Sequence, residues 1–287
     1  MFPRVKIEDI DLGKVVCGTN QFVGITHRWN PFDMLLHLIR FRKAKTVAKY
    51  MEYLFREHGV NSCVSSPREK VRNAIRIVEK KVGEKFHWIC TPSVRTTVKG
   101  FERDIFKQID WCAEQGVTFC GPHRMYTDNA LDMQDLKIGG PEMKEQNSQM
   151  FKGGLISQDV LANTCAIPYP EIAEYIRDKG MIPMLSSHYI ETIEAVEKQG
   201  YDAQMVIQPF NKKGFESNTD PAILARKIKN TKVRILNIKP MAAGRIPPRE
   251  GLAFCAKTIK KKDLLAVGFG KYKYAVEDGK ILEKLFS

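Results

Sequence analysis

The chain has 287 residues, 43% of them hydrophobic, and a formal net charge of +13. That length and apolar content support a large core and exclude a disordered chain. No apolar run reaches the length of a bilayer span, and the opening MFPRVKIEDIDLG holds no apolar signal region, so a cytoplasmic, non-membrane protein is expected. The positive balance suits anionic partners such as a phosphorylated metabolite, a nucleotide cofactor or RNA, although Lys-rich helix faces such as KKVGEK and KTIKKKD carry much of it. Seven cysteines without a CxxC pair read as free thiols packed as small hydrophobes.

Along the chain one grammar recurs: a helix with an apolar stripe, a glycine or short polar turn, then a compact apolar strand. VVCGT is the first strand, and a long connection over 21–42 follows it. The stripe Val47, Met51, Leu54 and Phe55 leads through His58-Gly59 into NSCVS; Val71, Ala74, Ile75, Val78 and Val82 lead through Gly83 into HWICT. Phe101, Ile105, Ile109 and Cys112 lead through Gly116 into VTFCG, after which a second long connection spans 124–169. Ile172 and Ile176 precede MIPML; Ile190, Ile193 and Val196 precede MVIQP; Leu224 and Ile228 precede RILNI; Leu252, Cys255 and Ile259 precede LLAVG, with a last helix over 274–286. Glycine past a helix end is the expected cap, and strands apolar on both faces belong to a parallel sheet covered by helices. Eight such units predict a single α/β domain over 1–287, a (β/α)8 TIM barrel with long loops after strands one and four. An open doubly wound sheet is the alternative, but no GxGxxG turn follows the first strand.

In a barrel of this kind the chemistry sits where the strands end. Three histidines fall on that rim: His27 after strand one, His123 after strand four and His188 after strand five, joined by the polar residues Asn20, Asp128, Gln208 and Asn211. Three imidazoles on one rim would hold a divalent metal, zinc or iron, with an open position, and His123 with Asp128 would serve as acid or base. The loops after strands seven and eight, KPMAAGRIPPREG and GFGKYKY, offer Gly244, Arg245, Gly268, Gly270 and Lys271 as a cradle for a phosphate-bearing ligand or cofactor. Lys239, ending strand seven, is a candidate Schiff-base amine. His37 and His58 read as structural. The basic, aromatic stretch HLIRFRKAKTVAKYMEYLFREHG fits a barrel helix better than a nucleic-acid surface.

Several segments resemble the aldo-keto reductase family. VTFCGPHRMYTD is similar to its fourth-strand segment, KGMIPMLSSHYIETIEAV to the fifth, MVIQPFN to the sixth, NIKPMAAGRIP to the seventh and LLAVGFGKY to the eighth, together covering roughly 100–287. The resemblance implies the barrel fold, NADPH as cofactor and a role for His123. The family also uses an aspartate ending strand two, a tyrosine in the next loop and a lysine ending strand three. Here those places read NSCVSSPREK and CTPSVR, so of that set only His123 is kept, and Tyr126 is the candidate for a relocated proton donor. The leading expectation is an enzyme acting on a small anionic or phosphorylated molecule. The alternatives are an NADPH-dependent reductase with rearranged residues and a non-catalytic binding or assembly module. A homo-oligomer is compatible with all three.

Overall fold

Short runs of β-branched and apolar residues make the staves, and the helices between them bury one stripe each. The computed structural model describes residues 1–27, 30–93, 104–133 and 167–287. Arg28, Trp29, Phe101, Cys165, the end of CTPSVR, the motif GGPEMKEQNSQMFKGG and the first half of NTCAIPYP lie outside the described residues.

The barrel strands are β3 (Val15–Gly18), β4 (Ser62–Ser65), β5 (His87–Cys90), β6 (Phe119–Cys120), β7 (Ile182–Pro183), β8 (Leu185–Ser186), β9 (Val206–Pro209), β10 (Ile235–Ile238) and β11 (Leu264–Gly268). All pair in parallel, in the order β7-β6-β5-β4-β3-β11-β10-β9-β8. The two ends of that order are one stave. Met184 divides it: the Met184 amide donates to the Cys120 carbonyl at 3.0 Å, and the next amide, of Leu185, donates to Met205 at 3.1 Å. The fifth strand thus changes partners in mid-course and joins the two sides of the ring, which makes eight staves of a (β/α)8 barrel. Each barrel strand falls within its predicted segment except β8, whose Ser186 lies one residue beyond MIPML.

Helices α1 (Pro31–Arg40) and α2 (Ala44–His58) follow the first stave. Then come α3 (Glu69–Val82), α4 (Ile105–Glu114), α5 (Arg124–Met133), α6 (Tyr169–Asp178), α7 (Ile190–Gln199), α8 (Pro221–Asn230), α9 (Pro248–Ala256) and α10 (Tyr272–Phe286). Asn30 caps α1 by accepting from the amides of Phe32 and Asp33, and Asp104 and Asp220 cap α4 and α8 in the same way. The predicted stripes are largely the buried faces: Val71, Ala74, Ile75 and Val78 on α3, Ile105, Ile109 and Cys112 on α4, with Phe55 and Val82 only partly buried. All six described cysteines are buried as free thiols.

One element is absent from the sequence reading. Residues β1 (Arg4–Ile7) and β2 (Ile10–Gly13) form an antiparallel hairpin outside the barrel sheet. Its Val5, Ile7 and Leu12 pack with Val16, Ile89, Phe119, Ile207 and Leu236, the side chains that point into the barrel. The hairpin leads directly into the start of β3, so it plugs the strand-N-terminal end and leaves the opposite end open for function. His58 is structural, as expected: it ends α2 and its Nδ1 meets Glu283 Oε1 of α10 at 3.0 Å.

Candidate functional site

Around the strand-C-terminal rim the backbone is strained in one place. Six described residues other than glycine have positive φ, and five lie on this rim: His27 at 53°, Glu216 at 58°, Lys239 at 61°, Ala242 at 47° and Ala243 at 56°. Each such residue costs on the order of 1 kcal/mol, and strain of this kind concentrates where side chains are aimed for a purpose.

The aimed side chains meet on one carboxylate. Glu216, in the loop after β9, takes His27 Nδ1 on Oε1 at 2.9 Å. Its Oε2 is bonded to Lys239 Nζ, and His188 Nε2 lies 3.7 Å from the same oxygen. Lys239 Nζ also reaches His188 Nε2 at 3.4 Å. Asn20 Nδ2 lies 2.9 Å from His27 Nε2, so the far side of that ring is occupied by the protein as well. With Asn20 donating there, His27 carries its proton on Nδ1 and donates it to Glu216.

Burial and charge set the protonation states. Burial alone would raise the Glu216 carboxyl, but the His27 hydrogen bond and the Lys239 charge hold it well below the usual carboxylate range. Burial pulls the Lys239 ammonium below its ordinary value, against the opposing pull of Glu216. Burial, with the Lys239 cation second, keeps His188 far below the usual imidazole range, so it is a neutral acceptor for Lys239. The arrangement is an ionised Lys–Glu pair with a neutral histidine beside the ammonium.

A second layer fixes this cluster. Asp128 Oδ1, on α5, accepts from Ser187 Oγ at 2.7 Å and from the His188 amide at 3.1 Å. Ser187 Oγ in turn accepts from Thr192 Oγ1 and the Tyr189 amide. Asp128 therefore positions His188 rather than facing the mouth. Asn211 folds the loop that presents Glu216, its Oδ1 accepting from the amides of Lys213 and Phe215. The Arg245 guanidinium lies over the Phe215 ring, 4.3 Å from its centroid, and donates to the His27 carbonyl at 3.4 Å.

Burial is the largest influence on the Asp128 carboxyl and pushes it up to about 6, against the charge of Arg124. A carboxyl raised on folding favours the protonated folded form, so its contribution to stability falls as pH rises from about 4 to about 6. Asp128→Asn removes that dependence: the stability difference between wild type and variant should change by about 3 kcal/mol across the window. Urea melts at pH 4 and pH 7 check this, and an unchanged difference would refute it.

The expected residues distribute as follows. His27 and His188 are brought together, on Glu216 rather than on a common metal position. Among the described residues no three His, Cys, Asp or Glu side chains are grouped as a metal-ligand set. His123 begins the turn into α5, and its Nδ1 accepts from the Met125 amide at 3.3 Å. Tyr126 is 3% exposed and packs in the core, away from solvent. Gln208 is fully buried on β9. Gly244, at φ 80°, and Arg245 join the cluster through the strand-seven loop. Gly268 and Gly270 are already in use. A Cβ on Gly268 would stand 2.4 Å from Gln21 Nε2, and one on Gly270 2.9 Å from His37 Cε1. Arg40 donates to the Gly270 carbonyl at 2.9 Å, and Lys271 is exposed beside Tyr274. Gln21, His37 and Arg40 of the chain's own first connection stand at that turn. Glu216, in NKKGFESN, carries no sequence signal that pairs it with His27, and it is the residue the sequence reading missed.

No family model and no curated protein matches the chain. Among solved structures, two of a "putative aldo-keto reductase" from Pseudomonas aeruginosa superimpose with TM-scores of 0.59 and 0.60, at 14% and 15% identity. They cover 99% of this chain and 94% and 96% of those chains. Apo Gox0644 follows with a TM-score of 0.51 at 8% identity, over 100% of this chain and 94% of its own. The likeness shows the fold. That fold is the one the resemblance in strands four to eight implies. A shallow cleft among the described residues, lined by Gln204, Arg234 and Lys262 among others, is at the other end of the strands from this cluster and has none of its chemistry.

Proposed function

We propose that the chain is a barrel enzyme of acid–base chemistry on a small anionic carbonyl compound, with Lys239 as proton donor to the substrate oxygen. The observation that carries this reading is the Lys239–Glu216–His188 cluster, held by strained backbone at the rim where barrel enzymes work. A buried ammonium whose proton is easier to release than usual is a good general acid near neutral pH. It also stabilises negative charge developing on oxygen in a site of low polarity. Glu216 keeps Lys239 charged, which favours proton donation over attack by a free amine. Neutral His188 accepts from Lys239 and directs it. Arg245 and Arg124 give the rim the sign that suits an anionic substrate.

NADPH fits less well. The Gly268 and Gly270 backbone is covered by Gln21, His37 and Arg40, and Tyr126 is buried in the core. The fold likeness still favours a reductase as the second reading, so the test has two arms. Calorimetric titration with a 2-oxo acid and with a phosphorylated aldehyde should give saturable binding that Lys239→Met weakens at least about tenfold. Equal binding by Lys239→Met would overturn the assignment of Lys239. Saturable NADPH binding, followed by quenching of protein fluorescence, would favour the reductase.

A further inference from the structure

Helix α1 touches the barrel on one side but buries none of its residues. On that side Leu38, itself 46% exposed, lies against Gly24, where an added Cβ would stand 2.7 Å from the leucine side chain, and His37 covers Gly270. Outward, Phe32, Leu35, Leu36 and Ile39 stand at i, i+3, i+4 and i+7, which is one stripe of a helix. They are 66%, 53%, 40% and 63% exposed, and they supply four of the nine large hydrophobic side chains exposed on the described surface. A continuous apolar stripe of this kind marks an interaction surface.

The surroundings say what it meets. Arg42, Lys43 and Lys45 follow the helix directly and are exposed. The bond from Arg40 to the Gly270 carbonyl ties α1 to the segment Lys271–Tyr274, where both lysines and both tyrosines are exposed. An apolar stripe edged by cations and tyrosines is the composition of a helix that lies in a lipid headgroup region. A second copy of the chain would bring the same basic edge and another +13 against it, so charge disfavours self-docking and favours an anionic surface.

We propose that the outer face of α1 docks the chain on an anionic lipid surface. The connection that leads into α1 also carries Asn20 and His27. The proposal is independent of the chemistry assigned to Lys239.

Sedimentation of the full chain with vesicles tests it, using phosphatidylcholine alone and phosphatidylcholine mixed with phosphatidylglycerol. Binding should be at least about tenfold stronger to the anionic vesicles and should weaken as salt is raised. Leu35→Glu with Ile39→Glu, both surface positions, should abolish it while leaving thermal unfolding unchanged. Lys43→Glu with Lys45→Glu should remove the preference for anionic lipid. In a Leu36→Trp variant, emission from the new indole should shift to the blue on anionic vesicles, supporting insertion of this face. No binding to anionic vesicles would overturn the proposal. So would binding that survives Leu35→Glu with Ile39→Glu, which would reduce it to general basic attraction. Concentration-dependent dimerisation lost in that variant, without vesicle binding, would assign the face to self-association instead.

Discussion

Glu216→Gln is expected to lower stability by about 3 kcal/mol at neutral pH, and adding Lys239→Met should recover most of that loss. The reason is the company Glu216 keeps. Its carboxylate answers a lysine that is 12% exposed and an imidazole, and it is itself 23% exposed. Removing one partner of such a pair leaves a cation with no counter-charge in a place where burial already disfavours it. Removing both leaves little to compensate, so the two losses do not add. The partial exposure of Glu216 puts the expected cost at the lower end of the range for buried pairs. The sign with pH follows from the direction of the shift. A carboxyl held low in the folded state contributes stability that is present above its unfolded value, near 4.3, and is lost as pH falls through the folded value. The gap between wild type and Glu216→Gln should therefore be full at pH 7 and shrink in acid below about pH 4. Lys239 moves the other way: without Glu216 to oppose burial, it should lose its proton at a lower pH still. Urea denaturation of the wild type, the two single variants and the double variant at neutral and acid pH measures the coupling. Additive losses would show that the pair is not coupled and would remove the support for Lys239 as a proton donor tuned by Glu216.

The staves were legible because each is a compact apolar run next to a helix of period 3.6, and the closing glycines mark where helices stop. Val71, Ala74, Ile75 and Val78 carry that period without interruption, and they are buried. The N-terminal hairpin escapes because its strands have four residues each and set charged Arg4, Lys6 and Asp11 against Val5, Ile7 and Leu12, too short a pattern to separate from a polar tail. The rim was legible residue by residue through strand ends: His27, His188 and Lys239 each follow a predicted strand. Their meeting point was not. Glu216 sits in a turn of Asn, Lys and Gly, and only the three-dimensional path of that turn, folded by Asn211, carries it to His27. The glycines at 268 and 270 express close backbone approach, and in the structure Gln21 and His37 stand against them.

Gly121→Ala should be the most damaging single methyl in the barrel. Gly121 follows β6 and precedes Pro122 and His123. A Cβ there would stand 1.8 Å from the Met184 carbonyl oxygen and 2.6 Å from its carbon, and neither atom belongs to a flexible side chain. Something in the backbone must move. What moves is the residue at which the fifth stave changes partners, so the strain passes along Leu185 and Ser186 toward Ser187 and His188, and along Pro122 toward His123. Overpacking usually costs 1–3 kcal/mol, and a backbone atom as obstacle puts this case at about 3 kcal/mol or more. In a chain of this size that lowers the melting temperature by roughly 6–10 °C. Gly180→Ala is the matching control. Gly180 follows the end of α6 at φ 75° with nothing within 4 Å of an added Cβ, so it meets only the local penalty of a left-handed residue, about 1 kcal/mol. The two variants add the same atom and differ in what it meets. Thermal unfolding should separate them by about 2 kcal/mol or more, and 2-oxo acid binding should weaken in Gly121→Ala alone, because only there does the strain run to His188. If the two melt alike, the partner change at Met184 is not the fixed joint of the ring, and the placement of His188 must rest on Asp128 and Ser187 instead.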